Sequence, residues 1–138
     1  MDRSPSDRFR IVVVDGEPCI RHGLQIRLDT EPDLRVVGTA ATGSEALELV
    51  RERRPDLVLI DVPLPATGGF AAIAALGSAS PSVPVVVLTL YDDAETRQRA
   101  NAAGATALVS KHDGDTALLR AIRHHLTEGT VPPAPTPP

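Results

Sequence analysis

The chain has 138 residues, enough for one domain around a single core and too few for two comfortable ones. Hydrophobic residues make up 42% and aromatics only 2%, so a core must be assembled from Val, Leu, Ile and Ala. A net charge of −4 argues against this domain gripping nucleic acid by itself, because phosphate binding needs a basic face, and no apolar run approaches the length of a membrane span.

The chain starts with "MDRSPSDRFR", which is polar, has no apolar segment of the signal-peptide type, and reads as a flexible N-terminus over residues 1–9. "RIVVVD" follows as a first strand that ends on a carboxylate, Asp15, then Gly16 and a second carboxylate, Glu17. Pro18 suits a first helical turn, and the spacing predicts a helix over 18–30. "LRVVGTA" is a second strand. Gly43-Ser44 can cap a helix over 44–54, where Ala46, Leu47, Leu49 and Val50 lie opposite Glu45, Glu48 and Arg51. "DLVLID" is a third strand and again delivers an acid, Asp61, at its end. Next come a helix over 69–76 and a fourth strand, "VPVVVLTL", ending near Thr89. A helix over 92–103 follows, capped by Asp92 and stopped by Gly104. "TALVS" is the fifth strand, Lys111 follows it, and a last helix runs over 114–126. The tail from Thr127 to Pro138 holds five of the 13 prolines and reads as a Pro-rich linker over 128–138.

Five alternations of strand and helix imply an α/β fold with an all-parallel sheet covered on both faces. In such open sheets ligands bind at the carboxyl ends of the strands, where strand order reverses. Asp15, Asp61, Thr89 and Lys111 all fall at that edge. Lys111 stands out further: of 14 basic residues it is the single Lys, a compact ammonium where the chain otherwise uses a planar guanidinium.

This combination resembles the receiver domain of two-component response regulators over about residues 10–127. "EPDLRVVGTAATGSEALELVRERRPDLVLID" and "GATALVSKHD" look most like the subgroup whose receivers precede a LuxR/NarL-type helix-turn-helix. The resemblance implies a flavodoxin-like (βα)5 doubly wound fold with strand order 2-1-3-4-5. It implies Asp61 as the nucleophile that takes a phosphoryl group from a sensor histidine kinase, with Thr89 and Lys111 contacting that group. It implies Mg²⁺ held by Asp15, Asp61 and the backbone carbonyl of Pro63. DNA would be bound only through a C-terminal effector domain beyond this chain. A homodimer is compatible with the same resemblance. The single cysteine, the polar N-terminus and the lack of an apolar run of membrane-span length lead to an expected cytoplasmic location.

Four residues depart from the family pattern. Gly16 stands where the family has a second acid, so the metal is expected to bind weakly unless Glu17 substitutes. Leu108 stands where an aromatic couples to the threonine, His112 follows Lys111, and Gly68 replaces an acid before Gly69. Gly16 favours an alternative, a phosphorylation-independent pseudo-receiver that acts as a dimerisation module. A hydrolase with an aspartyl nucleophile would need a proton-transferring group two residues after Asp61, and Pro63 cannot serve. Of the remaining reactive residues, Cys19 is expected to be an inert packed thiol, compatible with a reducing compartment. His124-His125 and the Arg51–Arg54 run are expected to be solvated helix faces.

Overall fold

The computed structural model describes residues 8–62, 69–90 and 93–128. Five strands, β1 (Phe9–Val14), β2 (Leu34–Ala40), β3 (Leu57–Val62), β4 (Val85–Thr89) and β5 (Ala107–Ser110), form one parallel sheet in the order β2-β1-β3-β4-β5. Five helices alternate with them: α1 (Pro18–Asp29), α2 (Gly43–Arg53), α3 (Gly69–Ala79), α4 (Ala94–Ala103) and α5 (Gly114–Glu128). This is the expected doubly wound architecture.

Strand side chains alternate between faces, and the core divides accordingly. Ile11, Val13, Leu57, Leu59, Val86 and Val109 pack with Leu28 of α1 and Leu118, Ile122 and Leu126 of α5. Val12, Val14, Val58, Ile60, Val85 and Val87 pack with Ala46 and Val50 of α2, Ile73 and Leu76 of α3, and Ala100 of α4. Every residue of β3 is buried, as a central strand covered on both faces requires. Close packing also explains Gly69: a Cβ there would sit 2.5 Å from Val62 Cγ2, so α3 can begin against the end of β3 only on a glycine.

Several helix ends differ from expectation. The N-cap of α2 is Thr42, whose hydroxyl accepts from Glu45 N (3.2 Å), rather than Gly43-Ser44. The Glu45 carboxylate in turn accepts from Ala41 N (2.8 Å), so a side-chain acceptor displaced the glycine as the cap. The N-cap of α4 is Asp93, accepting from Thr96 N at 2.7 Å; Asp92 lies outside the described residues. Helix α2 stops on Arg54 in the left-handed region (φ 47°), because Pro55 disfavours a further helical residue before it. Gly104 ends α4 as expected.

Candidate phosphoacceptor pocket

The sheet register assembles the pocket. Val14 pairs with Ile60, so Asp15, the next residue on β1, comes level with Asp61 on β3. Asp61 pairs with Leu88 on β4, Leu88 with Val109 on β5, and Lys111 lies two residues further on. In strand parity Asp15 continues Ile11 and Val13, Asp61 continues Leu57 and Leu59, and Lys111 continues Val109. All three therefore leave the sheet on the face covered by α1 and α5. Thr89 continues Val85 and Val87 on the opposite parity, beside Val62 and Ser110.

Asp15, Asp61, Thr89 and Ser110 are the buried polar residues among those described. Burying a carboxylate without partners is costly, so their arrangement has to be accounted for atom by atom. Asp15 is 1% exposed. Its backbone N donates to Ala40 O (3.0 Å), its carbonyl accepts from Arg21 Nη1 (2.8 Å), and its Oδ1 accepts from Glu17 N (2.8 Å). Its Oδ2 is buried with no hydrogen-bond partner. Lys111 Nζ stands 2.6 Å from Asp61 Oδ1. The contact is a close, partly buried ion pair. Burial pushes the Asp61 carboxyl above its ordinary value; Lys111 pulls it back, and the negative charge of Asp15 pushes it up again.

The structure brings Asp15, Asp61 and Lys111 together and places buried Thr89 one position beyond the Asp61 level on the neighbouring strand. Pro63 and Gly68 lie outside the described residues. Glu17 is exposed, and its Oε1 accepts from Cys19 N (3.4 Å), which makes it the N-cap of α1. Cys19, expected to be packed, is exposed, because α1 fully buries Leu28 alone and turns its first turn outward. Arg51–Arg54 are exposed as expected, and the rings of His124 and His125 meet edge to face at 4.8 Å.

Sequence reasoning missed two residues. Ser110 is 4% exposed, and its hydroxyl accepts from His112 N (3.1 Å), capping the short 3-10 turn Lys111–Asp113 that presents the ammonium. The Ser-x-His spacing of a hydroxyl turn was the available signal. Arg21, whose guanidinium reaches the Asp15 carbonyl, carried no such signal among 13 arginines.

Asp15 Oδ2 and Asp61 Oδ1 are the hard anionic oxygens that Mg²⁺ takes, so the donor set fits that ion. It is a lean set: no group of three or more acid, His or Cys side chains placed for a metal occurs among the described residues.

The family model for the response regulator receiver domain matches residues 11–123. The transcriptional regulatory protein YhcZ of Bacillus subtilis is 38% identical over 117 residues, covering 85% of this chain and 55% of that protein. Response regulator GacA of Pseudomonas aeruginosa is 36% identical over 115 residues, covering 83% and 54%. The chain thus spans about half the length of the curated relatives it matches. A LuxR-family two-component response regulator from Aurantimonas superposes with a TM-score of 0.83 at 31% identity, covering 87% of this chain and 86% of that one. The NarL receiver domain of Mycobacterium tuberculosis gives 0.81 at 28% identity, covering 88% and 98%. Receiver domains of this kind are signalling domains rather than classical enzymes and generally bind Mg²⁺ at the phosphorylation site. The family model covers most of the chain and the relatives are more than 30% identical along it, so the chain belongs to the response regulator receiver domain family, with LuxR/NarL-type regulators as its relatives.

Proposed function

We propose that this domain accepts a phosphoryl group on Asp61 from the phosphohistidine of a sensor histidine kinase. The observation that carries the reading is the Lys111–Asp61 contact at 2.6 Å, set beside an unpartnered oxygen of Asp15. An Asp61 carboxylate oxygen attacks phosphorus, the phosphorus–nitrogen bond breaks, and the donor imidazole leaves with the bonding electron pair. Lys111 neutralises Asp61 before transfer and the phosphoryl oxygens after it. Thr89 offers its hydroxyl to the same group from the neighbouring strand. Asp15 and Asp61, with the Pro63 carbonyl, would hold Mg²⁺, which supplies charge neutralisation for the incoming phosphate.

Gly16 removes one carboxylate from this site, and Glu17 is engaged as the α1 cap. Mg²⁺ sheds water reluctantly, so the site binds it weakly and phosphorylation is slow. The receiver occupies about residues 10–127 and controls a C-terminal DNA-binding effector domain in the cytoplasm, as a homodimer. A pseudo-receiver that dimerises without phosphorylation is the second reading, favoured by Gly16.

Intact-mass spectrometry after incubation with a small phosphodonor and Mg²⁺ separates the two. Gly16→Asp is expected to gain a phosphoryl group faster than the native chain, and Asp61→Asn none. If the native chain labels as fast as Gly16→Asp, the slow-site reading is wrong; if neither labels, the pseudo-receiver reading stands.

A further inference from the structure

We infer that Arg21 is a positioning residue for the pocket: its guanidinium clamps the Asp15 carbonyl and thereby sets the direction of the free Asp15 oxygen. Asp15 is held by contacts on its backbone N, its carbonyl and its Oδ1, and each contact comes from a different place. Ala40 at the end of β2 takes its N–H, and Glu17 N binds its Oδ1. The carbonyl is held across space by a side chain from the first turns of α1, the half-buried Arg21. What remains is Oδ2, buried and without a partner, the atom available to a ligand.

The geometry follows from local rules. The Glu17 cap and Pro18 start α1 directly after the loop, and Arg21 N donates back to Glu17 O (2.9 Å). Helical side chains lean toward the N-terminus, which sends the guanidinium back over the loop. The clamp also answers a weakness of this chain. The peptide that carries the Asp15 carbonyl runs into Gly16, which has no Cβ to restrict its rotation. Without Arg21 that peptide plane turns more freely, the Glu17 N–H leaves Oδ1, and the carboxylate loses its fixed aim. A charged donor on a carbonyl is among the stronger hydrogen bonds available to hold it.

A cation near Asp15 would instead compete with a divalent ion for the same negative charge. The two effects move metal affinity in opposite directions. This role for Arg21 rests on the pocket being a divalent-ion site, as proposed above, so one readout is independent of metal.

The experiment uses the full chain and compares Arg21→Met and Arg21→Lys with the native protein. Mn²⁺ affinity is measured by electron paramagnetic resonance of the free ion. Amide exchange at Glu17 is measured by NMR, with Val86 and Leu88 of β4 as references for global stability. Arg21→Met is expected to weaken Mn²⁺ binding three- to tenfold and to speed Glu17 exchange at least tenfold relative to the references. Arg21→Lys, which keeps a donor and a charge, is expected to recover part of both. Tighter Mn²⁺ binding by Arg21→Met would make Arg21 a competing cation and overturn the clamp, as would unchanged Glu17 exchange. If the native chain binds no Mn²⁺, the divalent-ion reading fails, and Glu17 exchange alone decides the clamp.

Discussion

Two clusters of charged side chains in this molecule are built on opposite terms. Between α1 and α5, Arg27 pairs with Glu31 (2.7 Å) and Asp115 (3.0 Å), while Arg123 pairs with Glu31 (2.6 Å) and Asp33 (2.9 Å). Every carboxylate there faces a guanidinium in water. Hydrogen bonds from Arg27 and then Arg123 hold Glu31 below its ordinary value, and Arg123 does the same for Asp33. At the strand ends, two buried carboxylates lie on adjacent strands, an ammonium pairs with Asp61 alone, and Asp15 Oδ2 is left without a hydrogen-bond partner. There Asp61 is pushed up by burial. The surface network satisfies its charges, whereas the pocket leaves charge unsatisfied and available to a ligand. The region that violates the rule for buried polar groups is the region that can bind.

The sharpest break in this contrast comes from Lys111→Met, which strips the pocket of its cation and leaves two facing acids. Removing one partner of a fully buried pair costs about 3–5 kcal/mol; this pair keeps some exposure, so roughly 2 kcal/mol is expected in urea unfolding. The double variant Lys111→Met/Asp61→Asn should recover most of that loss. Equal instability of the single and double variants would mean that Lys111 contributes through packing of its stem, not its charge.

Asp61→Asn alone tests the pocket from the other side. A carboxyl whose folded value lies above its unfolded one adds stability below the unfolded value and loses that contribution as pH rises through the folded value. At neutral pH the charged Asp61 therefore weakens the fold. Thermal melts should show the stability of Asp61→Asn relative to the native chain rising as pH goes from about 4 to 7, through the range where the native carboxyl ionises. A gap independent of pH would remove the charge explanation.

The smallest effect belongs to the surface network, where Arg123→Ala is expected to cost roughly 0.5–1 kcal/mol, as exposed pairs do. Its sign with pH is reversed. The folded values of Asp33 and Glu31 are lowered, so their contribution is present above the unfolded value and is lost as pH falls through the folded one. The loss on Arg123→Ala should thus be full at pH 7, shrink in acid, and shrink again in high salt. A loss that grew in acid would contradict the assignment.

All five strands and five helices were legible, since short apolar runs such as residues 85–88 and the helical stripe of α2 carry their signal locally. Local reading failed at the caps of α2 and α4 and at Cys19. A cap depends on which oxygen reaches the first amides, and the exposure of Cys19 depends on how α1 lies on the sheet.

By itself the sequence determined the fold class and the four residues at the carboxyl edge, because strand ends and single residues such as Lys111 are one-dimensional facts. Only the tertiary structure decided what those residues do to one another. Sheet register brought Asp15, from β1, level with Asp61, from β3, although 46 residues separate them. The turn capped by Ser110 aimed Lys111 at Asp61, and the first turns of α1 carried Arg21 back onto Asp15. These are distances between parts of the chain far apart in sequence, and no local pattern encodes them; packing of the two faces of the sheet does.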